Sequence, residues 1–315
     1  MHRRTLFAAT LATPALAQSW PAARPVRLVV PFPPGGPTDR LARLAAQQLS
    51  ARLSGQWVVE NRPGAGGTLG TDLVAKAAPD GYTLLLSNIA SNGVAPGVYR
   101  TLPYDPLTAF THIALLAEIP SVLVVNAASP PRSLEEFVAW ARRTPGGLTM
   151  GSAGNGSSAH VLIETLARAT GAPLVHVPYR GSALANTDLV AGQIHGLVTT
   201  LAETIRNDRL RILAVTAASR VPMAPELPSF AELGLPQMTA PTWFGLSGPA
   251  GLPDALADRL HAACIAMLDA PEVRELLTNI VALPGRLSRQ EFQAFVAAEV
   301  RRWTEQARAA NATAE

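Results

Sequence analysis

From residue 24 onward the chain alternates short β-rich, apolar runs with amphipathic helical segments, and this alternation constrains the fold more than any other feature. Two parallel strands cannot be joined by a tight hairpin, so a strand–helix–strand rhythm selects an α/β architecture with largely parallel sheets. Val26 to Pro31 reads as a buried strand. A helix from about Thr38 to Leu53 follows, since Leu41, Leu44, Ala45, Leu49 and Leu53 keep to one face at helical spacing. Trp57 to Glu60 and Thr83 to Ser87 continue as strands around a helix from about Thr68 to Ala77, and Val122 to Asn126 repeats the apolar signature.

The small-residue and proline break Ala127 to Pro131 precedes the capping box Ser133-Leu134-Glu135-Glu136 and opens a second block. There Leu148 to Gly151, Leu174 to Val177, Leu197 to Thr200 and Ile212 to Thr216 read as strands, with helices from about Ser157 to Thr170 and Ser182 to Ala191. Beyond the Pro-rich stretch Pro222 to Pro236 come a strand, Thr242 to Leu246, and three helices; the last is capped by Ser288-Arg289-Gln290-Glu291 and striped by Phe292, Phe295, Val296, Val300 and Trp303. A helical ending needs a sheet to pack on, and the first block offers one. The chain is therefore expected to form two lobes: residues 24–124 with 236–315, and residues 125–235. Two crossovers, near 125 and 235, would make a hinge with a cleft.

Three glycine-rich turns carry the chemistry. Phe32-Pro33-Pro34-Gly35-Gly36-Pro37-Thr38-Asp39 ends a strand and opens a helix, and Ser152-Ala153-Gly154-Asn155-Gly156-Ser157 does the same in the second block with added side-chain donors. Each turn reads either as a plain connection or as an anion site, since glycine lets main-chain N–H groups come close to a ligand at a helix N-terminus. One such turn in each lobe, both at C-terminal strand ends, favours a shared cleft. A helix terminus holds a negative charge by only about 0.3–1 kcal/mol, against roughly 8 kcal/mol for micromolar binding, so direct hydrogen bonds and burial on closure must supply the rest. The third turn, Asn61 to Gly70, fails the dinucleotide spacing because Leu69 stands where the last glycine belongs, and it reads as structural.

Composition trims the alternatives. The 315 residues are 48% hydrophobic and 16% charged, which excludes a disordered chain, and the formal charge of +3 gives no polyanion-binding surface. One cysteine, Cys264, excludes an internal disulfide and a thiolate metal site, and the six histidines show no ligand spacing, so no metal or cofactor is expected. No G-x-S-x-G element supports a serine hydrolase. Residues 1–17, with Arg3-Arg4, an apolar run and Ala15-Leu16-Ala17 before Gln18, read as a cleaved export signal of either the Sec or the twin-arginine kind.

The ordered motifs Val30 to Asp39, Val59 to Gly67, Ala78-Pro-Asp-Gly-Tyr-Thr83, Leu102-Pro-Tyr-Asp-Pro106, Gly154 to His160, His176-Val-Pro-Tyr-Arg-Gly181, Leu213-Ala-Val-Thr216 and Trp243-Phe-Gly-Leu246 resemble the Bug family, extracytoplasmic receptors of tripartite tricarboxylate transporters, over residues 24–303. The resemblance implies a type II-like periplasmic binding protein, monomeric and non-catalytic, that closes on a small mono- or dicarboxylate. It would deliver that ligand to a membrane permease, or alternatively present it to a membrane kinase; nucleic acid is not a partner. Carried onto this chain, the ligand contacts are Phe32, Pro33, Pro34, Gly35, Gly36, Thr38 and Asp39, then Ser91, then Ser152, Ala153, Gly154, Asn155, Gly156 and Ser157. Asp39 serves either as a contact or as a helix cap. Tyr179 and Arg180 either meet the ligand's distal end or belong to a surface loop, and His160 is expected to be a structural donor. Where the family commonly has a Phe-Asp pair after Gly192-Gln193, this chain continues to Val198-Thr199. Thr199 takes that wall, no acid is expected there to receive an ammonium, and a plain carboxylate is expected to outbind an amino acid.

Overall fold

A computed structural model describes residues 20–35, 37–155 and 157–309; the expected export signal at 1–17, Gly36 and Gly156 lie outside it. The first half of the chain runs β1 (Val26–Val30), α1 (Pro37–Leu53), β2 (Trp57–Asn61), α2 (Thr68–Ala75), β3 (Thr83–Asn88), a π-helical turn at Ala90–Val94, α3 (Ala95–Val98) and β4 (Phe110–Ile119). There follow β5 (Ser121–Asn126), α4 (Leu134–Arg143), β6 (Leu148–Ser152), α5 (Ser158–Thr170), β7 (Leu174–Pro178), α6 (Ser182–Val190), β8 (Gly196–Thr200) and β9 (Leu210–Val215). The chain ends with β10 (Thr242–Pro249), α7 (Asp254–Leu268), α8 (Pro271–Asn279), β11 (Leu283–Pro284) and α9 (Arg289–Ala309).

These strands form two sheets, ordered β11-β4-β10-β3-β1-β2 and β7-β6-β8-β5-β9. β1 pairs in parallel with β2 and β3, and β6 with β7 and β8, as the crossover helices require. β10 is antiparallel to β3 and β4, and β5 to β8 and β9. The antiparallel strands follow from the connections. β4 and β5 are separated by Pro120 alone, so the strand leaving the first sheet enters the second head-on, and β10 makes the return passage. The crossing falls at Pro120 rather than near 125, and Val122 to Asn126 lies within the second sheet rather than closing the first.

β1 shows why the first sheet is covered on both faces. Val26, Leu28 and Val30 share one core with Leu41 and Leu49 of α1 and Leu260 and Cys264 of α7, while Val29 joins Val74, Tyr104 and Phe110 on the other side. Successive side chains of a strand point to opposite faces, so a central strand covered on both is mostly apolar; the exception in β1 is Arg27 near its start, which is exposed and pairs with Glu60. The C-terminal helix α9 packs on this half as expected, through α3, the π-helical turn and β4. Its buried residues are Phe292, Val296, Glu299, Trp303 and Ala307. Glu299 interrupts the apolar stripe for a reason: its Oε2 accepts hydrogen bonds from the indole nitrogens of Trp243 and Trp303, both at 3.1 Å.

Candidate functional site

The first glycine turn is shaped by Asp39, which is only 3% exposed. Its Oδ2 accepts hydrogen bonds from the Gly35 main-chain N–H at 3.0 Å and Arg43 Nε at 2.9 Å, and its Oδ1 accepts from Asn61 Nδ2 at 2.9 Å. The Arg43 hydrogen bond outweighs the cost of burial and draws the Asp39 carboxyl down to about 2. Asn61 Nδ2 also donates to the Phe32 carbonyl. The third glycine turn thus buttresses the first, and Gly70 permits the close approach, since a Cβ there would lie 2.6 Å from the Arg62 carbonyl oxygen. Asp39 thus ties the turn to α1 and β2, with three hydrogen bonds on its carboxylate. Gly35 has its N–H spent on Asp39. Among the described residues, the first-turn amides of α1 at Thr38 and Asp39 have no acceptor within the helix and are available to a ligand.

The second turn is built in a similar way. Ser152, fully buried, accepts the Gly154 N–H at 3.1 Å and shares a 2.6 Å hydrogen bond with His176 Nε2. Ser157 caps α5 by accepting the His160 N–H. His160 stacks on His176 with ring centroids 3.8 Å apart. Burial, reinforced by His160, pushes His176 down to about 4, so it is neutral at pH 7. Ser152 and His176 resemble a nucleophile and base only in their contact. The serine is enclosed and its oxygen already holds the Gly154 amide. Ala153 and Asn155 are exposed on the outer part of the turn.

Between the two sheets lies a cavity of about 270 Å³, walled by Thr38 and Arg40 of α1, Ile119 at the end of β4, Phe244 of β10, Thr200 at the end of β8 and Glu203. It sits where the C-terminal end of β8 meets the helix that follows β1, the edge at which open α/β sheets bind ligands. Of the residues expected from the sequence, Thr38 lines it. A larger cavity of about 500 Å³, lined by Glu118, Pro120 and Pro241, opens beside the same crossovers. Ile119 borders the first cavity whereas Glu118 and Pro120 border the second, so the linker strand divides them.

Other expected contacts lie elsewhere. Ser91 is fully buried, and its hydroxyl donates to Asn92 Oδ1 and accepts from Asn88 Nδ2. Tyr179 donates its hydroxyl to Asp188 and its main-chain N–H to the Ser152 carbonyl, so it braces the second turn. Burial first, then Asp188, pushes its phenol up to about 12. Arg180 is exposed and outside the cavity lining. Thr199 is buried and donates to Glu203 at 2.5 Å; its neighbour Thr200 is the lining residue.

Glu203 corrects the expectation that this wall lacks an acid. It stands in a short 3₁₀ turn, Leu201–Glu203, and accepts from Thr199, Ser182 Oγ at 3.0 Å and Asn186 Nδ2 at 3.3 Å, all neutral donors. The signal was available in the sequence: an acid a few residues beyond a C-terminal strand end. Arg40 also lines the cavity, a placement the sequence did not suggest because a charged residue off the apolar stripe of an amphipathic helix reads as a solvated face.

Two α/β lobes joined by paired crossovers, with a cavity between the sheets, define a two-lobed solute-binding protein. The chain belongs to the tripartite tricarboxylate transporter family of receptors, whose family model matches residues 41–311. It is 36% identical over 304 residues to Protein BugT of Bordetella pertussis (strain Tohama I), covering 95% of this chain and 93% of that one. The solved structure of R. palustris Rpa4515 with adipate matches at a TM-score of 0.81 and 36% identity, covering 93% of this chain and 99% of that one. MatC from Rhodopseudomonas palustris with bound malate matches at a TM-score of 0.77 and 33% identity, covering 90% and 99%. This is a family of periplasmic solute receptors, and among the described residues no helix is long and apolar enough to cross a membrane.

Proposed function

We propose that this protein binds a small carboxylate in the cavity between its sheets and hands it, as a monomer in the periplasm, to the membrane permease of a tripartite tricarboxylate transporter. It acts as a receptor and not as a catalyst. The observation that carries the reading is the cavity itself, which draws its walls from both sheets and from the first turn of α1. Relatives of the same fold bound to adipate and malate support the ligand class. The first lobe comprises the sheet ending in β4 together with everything from β10 onward, and the second comprises β5 to β9 and their helices. Ligand donors in this reading are the first-turn amides around Thr38 and the side chains on the cavity wall, joined on closure by main-chain amides of the second turn, whose described residues do not line the cavity in this arrangement. A carboxylate contacting both lobes is more favourable in the closed arrangement and shifts the population toward it. Isothermal titration of the purified protein with four- to six-carbon acids is expected to give dissociation constants in the micromolar range or tighter; no heat from any carboxylate up to millimolar concentration overturns the proposal.

A further inference from the structure

We propose that the larger cavity, on the far side of the linker strand, is a second binding site, one that takes an organic monoammonium ion with an apolar body and seats its charge on Glu118. The proposal stands apart from the carboxylate reading, because the two cavities share no lining residue. The walls of the larger one come from both halves of the molecule. Glu118 of β4, Leu283 of β11 and Phe295, Glu299 and Arg302 of α9 form one side, and the segment that follows β9 forms the other.

The charges on this wall do not balance. Glu299 and Arg302 pair with each other at 2.7 Å, and Glu299 Oε2 also accepts the two indole N–H groups. Arg220, the other cation on the wall, is exposed and is held by Glu232 at 3.1 Å and by the Pro225 carbonyl. Glu118 is left over: among the described residues no hydrogen bond or ion pair reaches its side-chain carboxylate. Burial first, then repulsion by Glu299, holds its carboxyl above the ordinary range, and Arg302 offsets part of this. A half-buried carboxylate without a counter-ion favours any cation that can reach it. One free carboxylate offers too few oxygens for a bare divalent ion, which takes about six ligands, whereas an ammonium pairs with one carboxylate and keeps water on its other protons. Pro120, Pro241, Leu283 and Phe295 give the rest of the molecule an apolar surface. At roughly 30 Å³ per water-sized group, 500 Å³ holds on the order of sixteen non-hydrogen atoms, ample for an aryl-alkyl amine.

The test is isothermal titration of the wild type and Glu118→Gln with 2-phenylethylamine, and with 2-phenylethanol as the neutral molecule of the same shape. The wild type is expected to bind the amine with a submillimolar dissociation constant and the alcohol at least ~10-fold more weakly, the scale of one charge-assisted hydrogen bond. Glu118→Gln is expected to lose at least ~10-fold in amine affinity. Its melting temperature is expected to equal or exceed that of the wild type, since a carboxyl raised by burial is ionised at a cost at pH 7. The comparison of amine with alcohol is made on the wild type and does not depend on the variant's fold. No binding of the amine at millimolar concentration, or equal affinity for the alcohol, overturns the proposal. Undiminished amine affinity in Glu118→Gln overturns it too, because the amine then sits elsewhere, as on Glu203 of the smaller cavity. A protein that binds the amine through Glu118 but no carboxylate upholds this inference and refutes the proposed function.

Discussion

Gly154 has φ near +132°, a region that side-chain-bearing residues rarely adopt, and a Cβ there would lie 3.3 Å from the Tyr179 carbonyl oxygen. Gly154→Val therefore distorts the second turn in the folded state while leaving the cores untouched. Carboxylate affinity is expected to fall at least tenfold with the circular dichroism spectrum intact, and undiminished affinity counts against this turn as part of the site. Asp39 holds the first turn through three hydrogen bonds, so Asp39→Asn is expected to cost about 1–2 kcal/mol at pH 7, a figure reduced because Arg43 is largely exposed. The sign follows from linkage: its carboxyl titrates near 2 when folded against 3.8 when free, so its contribution is full above pH 4 and lost as the pH falls toward 2. Urea unfolding at pH 7 and pH 2.5 checks this, with the gap between variant and wild type closing at the lower pH. Both glycine turns were legible in the sequence. That their named glycines give their own N–H groups to Asp39 and Ser152 was not, because spacing shows where a donor sits and not what it already holds.

At the scale of elements, α9 was legible because its stripe keeps helical spacing and ends at a capping box. β4 was not. Phe110 to Ile119 is a largely apolar run broken by Thr111, His112 and Glu118, and a run buried on both faces has no period to separate it from a buried helix. His112 fits there because one ring nitrogen meets the Ser247 hydroxyl of β10, which only the assembled sheet supplies, and the other the Pro106 carbonyl of the preceding loop. The tie between α9 and β10 depends on Glu299, whose carboxylate serves two indole N–H groups and Arg302 at once. Glu299→Ala leaves both indole N–H groups without an acceptor and removes the ion pair of Arg302, which keeps only the Thr239 carbonyl, and is expected to lower unfolding free energy by about 3–5 kcal/mol. Glu299→Gln, which keeps one acceptor oxygen, is expected to cost less. Denaturant melts of both variants check the order, and an alanine variant as stable as the wild type contradicts the role assigned to the carboxylate.

The whole molecule is a pair of sheets strung on two passages of chain, and that topology was the part most readily read from the sequence, since strand–helix alternation and a helical ending with no sheet of its own leave few arrangements. The finer partition required the coordinates: Pro120, and not the small-residue break at 127–131, is where the chain changes sheets. The central claim is that one carboxylate is held by both halves together. A crystal structure of the protein with adipate tests it most directly. The account expects one carboxylate within about 3 Å of main-chain N–H groups from both the α1 turn and the 152–157 turn. Adipate bound to one half alone, or outside the cavity between the sheets, would contradict it.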